Sequence, residues 1–364
     1  MSSVRISSLN LQDFRSVSLA NINFNTPITI LTGVNNAGKT TILESLYFCS
    51  NLKSFKSITN QDLIKNNKPY FKISLNFIQN DINYNIFIEK SLKSAKCLLN
   101  NKKLSKKTLN TKFPCYALVF GFNNILLNDS SYRRDFVDSG VFHVEHGSYD
   151  ALSTYNKIIK QRNYLLKTKN TTDLTFWDEQ LVKNNSIVGN YRFEYFKQLK
   201  TELANIINNL KKTHHEIYHE IESIDIDFIK GWTNDDYQYE LEQNRNKDLS
   251  LGHTSSGSHR CDFVLTSNNK PVKESGSMST LVLSCLLVYL AKINVFHVKH
   301  GYRPTLLIDD LFFGIDNKNL NTVIKLLVNS KGNIVITSPS IYEEMLNNVV
   351  KENKEIAVIN VGDI

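Results

Sequence analysis

One eight-residue stretch constrains this chain more than any other. Gly33-Val34-Asn35-Asn36-Ala37-Gly38-Lys39-Thr40 has the spacing G-x-x-x-x-G-K-T. The β-branched run Ile28-Thr29-Ile30-Leu31 precedes it and reads as a strand. Thr41-Ile42-Leu43-Glu44-Ser45-Leu46-Tyr47-Phe48 follows, with apolar residues at helical spacing. A glycine-rich turn between strand and helix directs backbone N–H groups inward, where they can surround a diphosphate. In that setting Lys39 reaches the outer phosphates, Thr40 ligates Mg²⁺, and Thr41 continues the cradle into the helix.

Composition narrows the class. The chain is 41% apolar and 21% charged over 364 residues, as in soluble globular proteins with two or three lobes. No uninterrupted apolar run approaches ~18 residues, so no membrane span is expected. The opening Met1-Ser2-Ser3-Val4-Arg5-Ile6 lacks a basic-then-apolar export pattern. The 5 cysteines are scattered and lack C-x-x-C spacing, which suits a reducing cytoplasm and argues against a disulfide framework or a zinc site.

A net charge of +8 suits a polyanionic partner. From Ser91 to Asn128 there is no Asp or Glu, while Lys93, Lys96, Lys102, Lys103, Lys106, Lys107 and Lys112 fall inside. Two readings stay open: lysines that discourage edge pairing, and a patch that tracks phosphates.

Along the chain, residues 4–31 read as two strands around a turn, Val4 through Phe14 and Ile22 to Leu31. Alternation over Tyr70–Phe77 and Tyr84–Ile88 predicts antiparallel strands. Leu152, Tyr155, Ile158, Ile159, Arg162 and Leu166 share one helical face, as do Phe196, Leu199, Leu203, Ile206, Ile207 and Leu210. Far downstream, Thr305-Leu306-Leu307-Ile308-Asp309-Asp310 is an apolar strand ending in two acids. Such a strand is expected beside the first, with Asp309 linked to Mg²⁺ through water and Asp310 orienting the attacking water. Ile334 to Thr337 predicts a further parallel core strand, with Thr337 and Ser338 at the same edge. So wide a separation of the two motifs points to an ABC-type head of the chromosome-maintenance kind, its ATP site completed by a second subunit.

Several segments carry a closer resemblance. Leu9-Asn10-Leu11-Gln12-Asp13-Phe14-Arg15, the loop with Leu43-Glu44-Ser45-Leu46-Tyr47, and Lys53-Ser54-Phe55-Lys56-Ser57 stand in the first part. Tyr132-Arg133-Arg134-Asp135-Phe136-Val137-Asp138, Lys160-Gln161-Arg162-Asn163-Tyr164-Leu165-Leu166 and Trp177-Asp178-Glu179-Gln180-Leu181 follow. Ser258-His259-Arg260-Cys261-Asp262 and Asp309-Asp310-Leu311-Phe312-Phe313-Gly314-Ile315-Asp316 complete the set. Together they resemble the RecF recombination-mediator family nearly end to end.

The resemblance implies an α/β fold: an ABC-type, SMC/RecF-like P-loop ATPase head with an inserted, mainly α-helical lobe. Residues 1–125 and 249–364 would form the two halves of the head and 126–248 the lobe. It implies a cytoplasmic, nucleoid-associated protein of gap repair and the SOS response. Such a protein binds ATP, Mg²⁺ and single-stranded, double-stranded or gapped DNA, forms an ATP-dependent homodimer, and works with RecR and RecO toward RecA loading. By position, Gly33 to Thr41 hold the nucleotide, Arg15 approaches it, Lys39 and Asp310 are catalytic, and Thr40 and Asp309 serve the metal. Ser277 opens the signature segment, and Asp316 is the D-loop acid facing the other subunit.

This chain departs from the family in three places. Where the family has S-x-G-Q, ungapped counting gives Ser277-Met278-Ser279-Thr280, so the serine survives without the glycine and glutamine. A second register, Glu274-Ser275-Gly276-Ser277, would set a carboxylate against phosphate; the first keeps Leu290-Ala291 in step and is preferred. Phe122-Asn123 replaces a P-E pair, and Phe313-Gly314 replaces S-E in the D-loop. Nucleotide binding is therefore expected to be retained more surely than hydrolysis, and a catalytically weak pseudo-ATPase is the alternative.

Single residues carry further expectations. Arg133 and Arg134 read as an intramolecular clamp on Asp135 or Asp138, and Lys157, Lys160 and Arg162 as DNA contacts. His259 and Arg260 are placed by the resemblance near the dimer-facing edge, and His214, His215 and His219 read as a solvated helix face. A transporter subunit is opposed by the helical insertion, and an ATPase–nuclease by the lack of room for an acidic nuclease domain.

Overall fold

The computed structural model describes residues 4–56, 59, 61–120, 125–213, 221–312, 315 and 317–363. The chain divides into two compact units. The first comprises Met1–Asn124, Lys212–His219 and Ser277–Ile364; the second comprises Ile125–Lys211 and Glu220–Gly276. Residues 249–276 thus cluster with the second unit. There β10 (Asp262–Ser267) pairs antiparallel with β9 (Ile224–Ile229) along its whole length and with the short β11 (Lys270–Pro271) on its other side.

The first unit contains two sheets. One is five-stranded and parallel, formed by β3 (Ile28–Thr32), β8 (Cys115–Val119), β12 (Thr305–Asp309), β13 (Ile334–Thr337) and β14 (Ile356–Asn360) in the order β14-β3-β13-β12-β8. Every residue of β3, β12 and β13 is buried, as expected where both sheet faces are covered. The acid-bearing strand β12 does not lie directly beside β3: β13 stands between them and pairs with both.

The other sheet is six-stranded, built from β1 (Arg5–Phe14), β2 (Val17–Asn23), β4 (Tyr70–Gln79), β5 (Ile82–Ser91), β6 (Ala95–Leu99) and β7 (Lys102–Lys103) in the order β2-β1-β4-β5-β6-β7. All its pairings are antiparallel. Its alternation is legible in β4, where Phe71, Ile73, Leu75 and Phe77 are buried and the residues between them half-exposed. The expected single strand from Ile22 to Leu31 is instead two, β2 and β3, which join different sheets. Pro27 cannot donate a ladder hydrogen bond, and Thr26 Oγ1 donates to Ile28 O at 2.7 Å across the break.

Helix α1 (Lys39–Asn51) contributes Ile42, Leu43, Leu46 and Phe48 to a core shared with both sheets, and the short α2 (Lys106–Lys112) adds Leu109. The helix Met278–His300 is long and apolar enough to cross a membrane. Lys292 interrupts its apolar run, so no unbroken stretch in the sequence betrays it, and 83% of its apolar window is buried inside the protein.

The second unit is mainly helical, with α3 (Ser130–Val144), α4 (Ser148–Thr168) and the 40-residue α5 (Leu174–Thr213). Tyr155, Ile158, Leu181, Val188, Tyr237 and Leu241 form a core there, with Leu152 and Ile159 packed against it. The predicted helical faces are the buried ones: Leu166, Phe196, Leu199, Leu203, Ile207 and Leu210 are all inside.

Candidate nucleotide site

Strand β3 ends at Thr32, and the chain turns into α1 through a loop whose backbone only certain residues accept. Gly33 has φ 147°, Asn36 66° and Gly38 99°, all left-handed values. A Cβ on Gly33 would lie 3.4 Å from Ala37 Cβ, and one on Gly38 3.3 Å from Val17 Cγ2. No side chain caps α1 and no acid occupies its first turn, so the positive end of the helix is left open to an anion. Lys39 Nζ donates to the carbonyls of Gly33 at 2.7 Å and Val34 at 2.9 Å. Burial lowers the Lys39 pKa, and the charges of Asp310 and Asp309 oppose that shift. The lysine is therefore within electrostatic reach of both acids.

Asp309 is buried at the end of β12. Its Oδ1 accepts the hydroxyl of Thr40 at 3.0 Å and that of Thr337 at 2.8 Å. Burial raises the Asp309 pKa; the Thr337 bond opposes this most, Asp310 adds to it, and Thr40 and Lys56 counter it. Thr337 also holds the second acid. Its Oγ1 accepts the N–H of Asp310 at 2.8 Å, fixing that exposed residue at φ 57°. The sequence placed Thr337 at this edge but could not show that one hydroxyl ties both acids together. With its proton given to Asp309, Thr40 keeps oxygen lone pairs for a cation. A phosphate-sized cradle, an ammonium, a hydroxyl and a buried carboxylate fit Mg²⁺ and nucleoside triphosphate.

Other predicted residues fall elsewhere. Arg15 donates Nη2 to Glu44 Oε1 at 2.6 Å and Nε to Glu44 Oε2, so its guanidinium grips a fully buried carboxylate on α1. Ser54 bonds the same carboxylate and also accepts the Lys56 N–H at 2.7 Å, bringing the Lys53–Lys56 segment toward Asp309. Sequence reasoning missed Lys56; its place in the basic segment after α1 was the available signal. Ser277 caps the helix Met278–His300, accepting from Thr280 N at 3.1 Å and sharing a hydrogen bond with Thr280 Oγ1 at 2.9 Å. Glu274 belongs instead to the short helix Val272–Ser275. Asp316, Phe122-Asn123, Phe313-Gly314, His214, His215 and His219 lie outside the described residues.

In the second unit several expectations change partners. Arg162 is completely buried and cannot meet DNA: it donates to Asp178 at 2.7 Å, Asp248 at 2.7 Å and Thr254 at 2.9 Å. Lys157 and Lys160, on the opposite side of α4, are exposed. Arg133 clamps Asp262, at 2.6 and 2.9 Å, rather than Asp135 or Asp138; Asp138 is held by Arg192. Arg134 donates to Ser130 Oγ and Cys261 O.

His259 is a structural hydrogen-bonding group between Tyr155 OH at 2.9 Å and Thr254 O at 3.0 Å. Its pKa is pushed down to about 4, first by burial, with Arg260 and Arg134 adding and Thr254 O and Asp248 opposing. Between pH 6.5 and about 4 the unfolded chain protonates this histidine while the folded one does not. Stability from this group is complete above pH 6.5 and falls with decreasing pH, by about 3 kcal/mol at the lower end. Denaturant titrations of the wild type and of His259→Gln at pH 7 and 5 should show the larger acid loss in the wild type; parallel losses would exclude the effect.

The geometry has counterparts among known proteins. An AAA domain family matches residues 8–251. The DNA replication and repair protein RecF of Lachnospira eligens is 29% identical over 362 residues, covering 96% of each chain. That of Clostridium acetobutylicum is 30% identical over 352 residues, 94% of this chain and 95% of its own. A solved structure of the recombination mediator protein RecF with ATP, of the RecFOR pathway, has a TM-score of 0.79 at 20% identity, covering 100% of this chain and 99% of that one. A Smc head domain derived from Pyrococcus furiosus shares the fold at a TM-score of 0.53 and 14% identity, over 92% and 90% of the two chains. With the loop, the acid strand and near-complete coverage in agreement, this α/β chain, an SMC/RecF-like ATPase head carrying an inserted helical lobe, belongs to the RecF family.

Proposed function

We propose that this chain binds Mg·ATP and DNA and acts in recombinational gap repair as an ATP-dependent dimeric clamp, working with RecO and RecR toward RecA loading in the cytoplasm. One observation carries the reading: Thr40, next to the loop lysine, and Asp309 share a 3.0 Å hydrogen bond across 269 residues of sequence. Segments so distant have no local reason to meet; a shared Mg·ATP pocket supplies one. In this reading the loop from Gly33 to Thr41 holds phosphates, Lys39 neutralises the outermost, and Thr40 and Asp309 hold Mg²⁺. Asp310 orients the attacking water, Ser277 and Asp316 face the partner copy's nucleotide, and Arg15 steadies α1 through Glu44.

Residues 1–125 and 277–364 would supply the head, and the lobe, read from the sequence as 126–248, would run on through 276. DNA would be held chiefly through phosphates, giving strong salt dependence. A catalytically weak pseudo-ATPase is the second reading. It is favoured by Met278-Ser279-Thr280 after Ser277, where Thr280 already occupies the serine hydroxyl.

Sedimentation with ATP and with ADP, each with and without a gapped duplex, tests the proposal. ATP-specific dimers that retain the duplex are expected. Monomers under every condition would sink the clamp, and dimers without measurable hydrolysis would favour the pseudo-ATPase.

A further inference from the structure

The nucleotide loop has a neighbour on β14, the last strand of the parallel sheet. β14 runs beside β3, and their register holds to a final pair, Asn360 next to Thr32. Thr32 directly precedes Gly33, so the two strands end together at the mouth of the loop. β13 flanks β3 on its other side. On that side Ser338 N–H donates to Leu31 O at 2.9 Å, and Thr337 and Thr40 share the Asp309 carboxylate. On the β14 side the loop meets Asn360 and Val361.

Gly33 is the residue they meet. A Cβ added to it would lie, beyond the loop's own Ala37, 3.5 Å from Asn360 Oδ1 and 3.8 Å from Val361 Cβ. Val361 is buried in the core that includes Leu31, and Ala37 packs against that same core. It forms an apolar floor beneath the loop. Asn360 supplies a polar flank: its Oδ1 accepts the Gly362 N–H at 2.9 Å, which bends the chain into the helical turn Val361–Asp363.

A glycine has no side chain to limit its backbone, so its surroundings must set its conformation. Gly33 also carries the carbonyl that accepts Lys39 Nζ at 2.7 Å. A shift of this glycine therefore moves the resting place of the ammonium that meets the outer phosphates. Asparagine suits the flank. It accepts the Gly362 N–H as an aspartate would, without setting a negative charge beside bound phosphates.

We propose that Asn360 is a positioning residue of the nucleotide site, holding Gly33 together with Val361 and, through the Gly33 carbonyl, the resting position of Lys39. The inference rests on the Mg·ATP reading above and adds β14 to the parts that decide phosphate affinity.

Calorimetric titration of the full chain with Mg·ATP and Mg·ADP tests it, beside the unfolding midpoint of the nucleotide-free protein. Asn360→Ala should weaken ATP binding about five-fold, the scale of one lost hydrogen bond. Asn360→Ser, whose hydroxyl can still accept the Gly362 N–H, should recover most of that loss. Asn360→Asp keeps the turn, yet it should weaken ATP about ten-fold at low salt, ADP less, and both less as salt rises. A residue that merely ends a strand would change the unfolding midpoint without this ordering by phosphate charge and salt. Affinities within about two-fold of the wild type in all three variants, or losses that follow the midpoint and ignore salt, overturn the assignment.

Hydrogen exchange of the wild type gives a test that needs no variant. Mg·ATP should slow exchange in the peptide bearing Val361 to Asp363 as well as in the loop from Gly33 to Thr40. Protection of the loop alone overturns the coupling. ATP binding that Lys39→Ala abolishes and the Asn360 variants leave intact rejects this inference only, whereas a wild type that binds no Mg·ATP rejects the nucleotide reading as well.

Discussion

Lys39→Ala is expected to weaken ATP binding at least about a hundred-fold, because it removes a charge-assisted contact to the outer phosphates worth ~3 kcal/mol. The ammonium now rests on the carbonyls of Gly33 and Val34, within reach of Asp309 and Asp310. Its burial has an electrostatic cost that a phosphate would offset. Removing it leaves the glycine cradle and the α1 N-terminus intact, so the nucleotide-free protein should unfold within about 1 kcal/mol of the wild type. Calorimetric titration with Mg·ATP, together with the unfolding midpoint, separates these effects. Equal affinity in wild type and variant would show that the loop does not hold the nucleotide. Lys39→Arg should not rescue, since a planar fork cannot replace a compact charge in a site closed by backbone carbonyls.

The second large effect concerns folding. Arg162→Ala should destabilise the second unit by about 3–5 kcal/mol, because it strands buried carboxylates. Asp248 is fully buried and would keep only smaller donors such as the Ser255 N–H at 2.9 Å. Asp178 fares better, since Arg245 Nη2 also reaches it at 2.6 Å. Arg162→Lys should recover a minority of the loss: one ammonium cannot span Asp178, Asp248 and Thr254 as the fork does. Chemical denaturation measures both variants. A loss under about 1 kcal/mol for the alanine variant would mean that water enters and solvates the two acids. Neither variant should change the salt slope of DNA binding, because Arg162 has no exposed atoms to offer a phosphate.

Arg162 also shows where reading a sequence stops. Its neighbours Lys157 and Lys160 are basic and share its helix, so all three looked like one cationic surface. Helical phase alone put Arg162 on the apolar face with Tyr155 and Ile158, and that face is the buried one. The partners that neutralise it, Asp178 and Asp248, are remote in sequence, and pairing across such distances leaves no local trace. Arg133 repeats the lesson: an internal clamp was legible, its partner Asp262 was not.

What the chain order did determine is local. The strand–loop–helix unit around Gly33 to Thr41 follows from β-branched residues, glycines that tolerate left-handed φ, and helical apolar spacing. Each acts within a few residues. The acids at the end of β12 were equally legible, because a fully apolar strand must place its first polar groups at its end. Tertiary structure alone decided that β13 separates β12 from β3 and that Thr337 ties Asp309 to Asp310. Strand order and hydroxyl direction depend on which buried surfaces fit together, and that is a property of the folded whole.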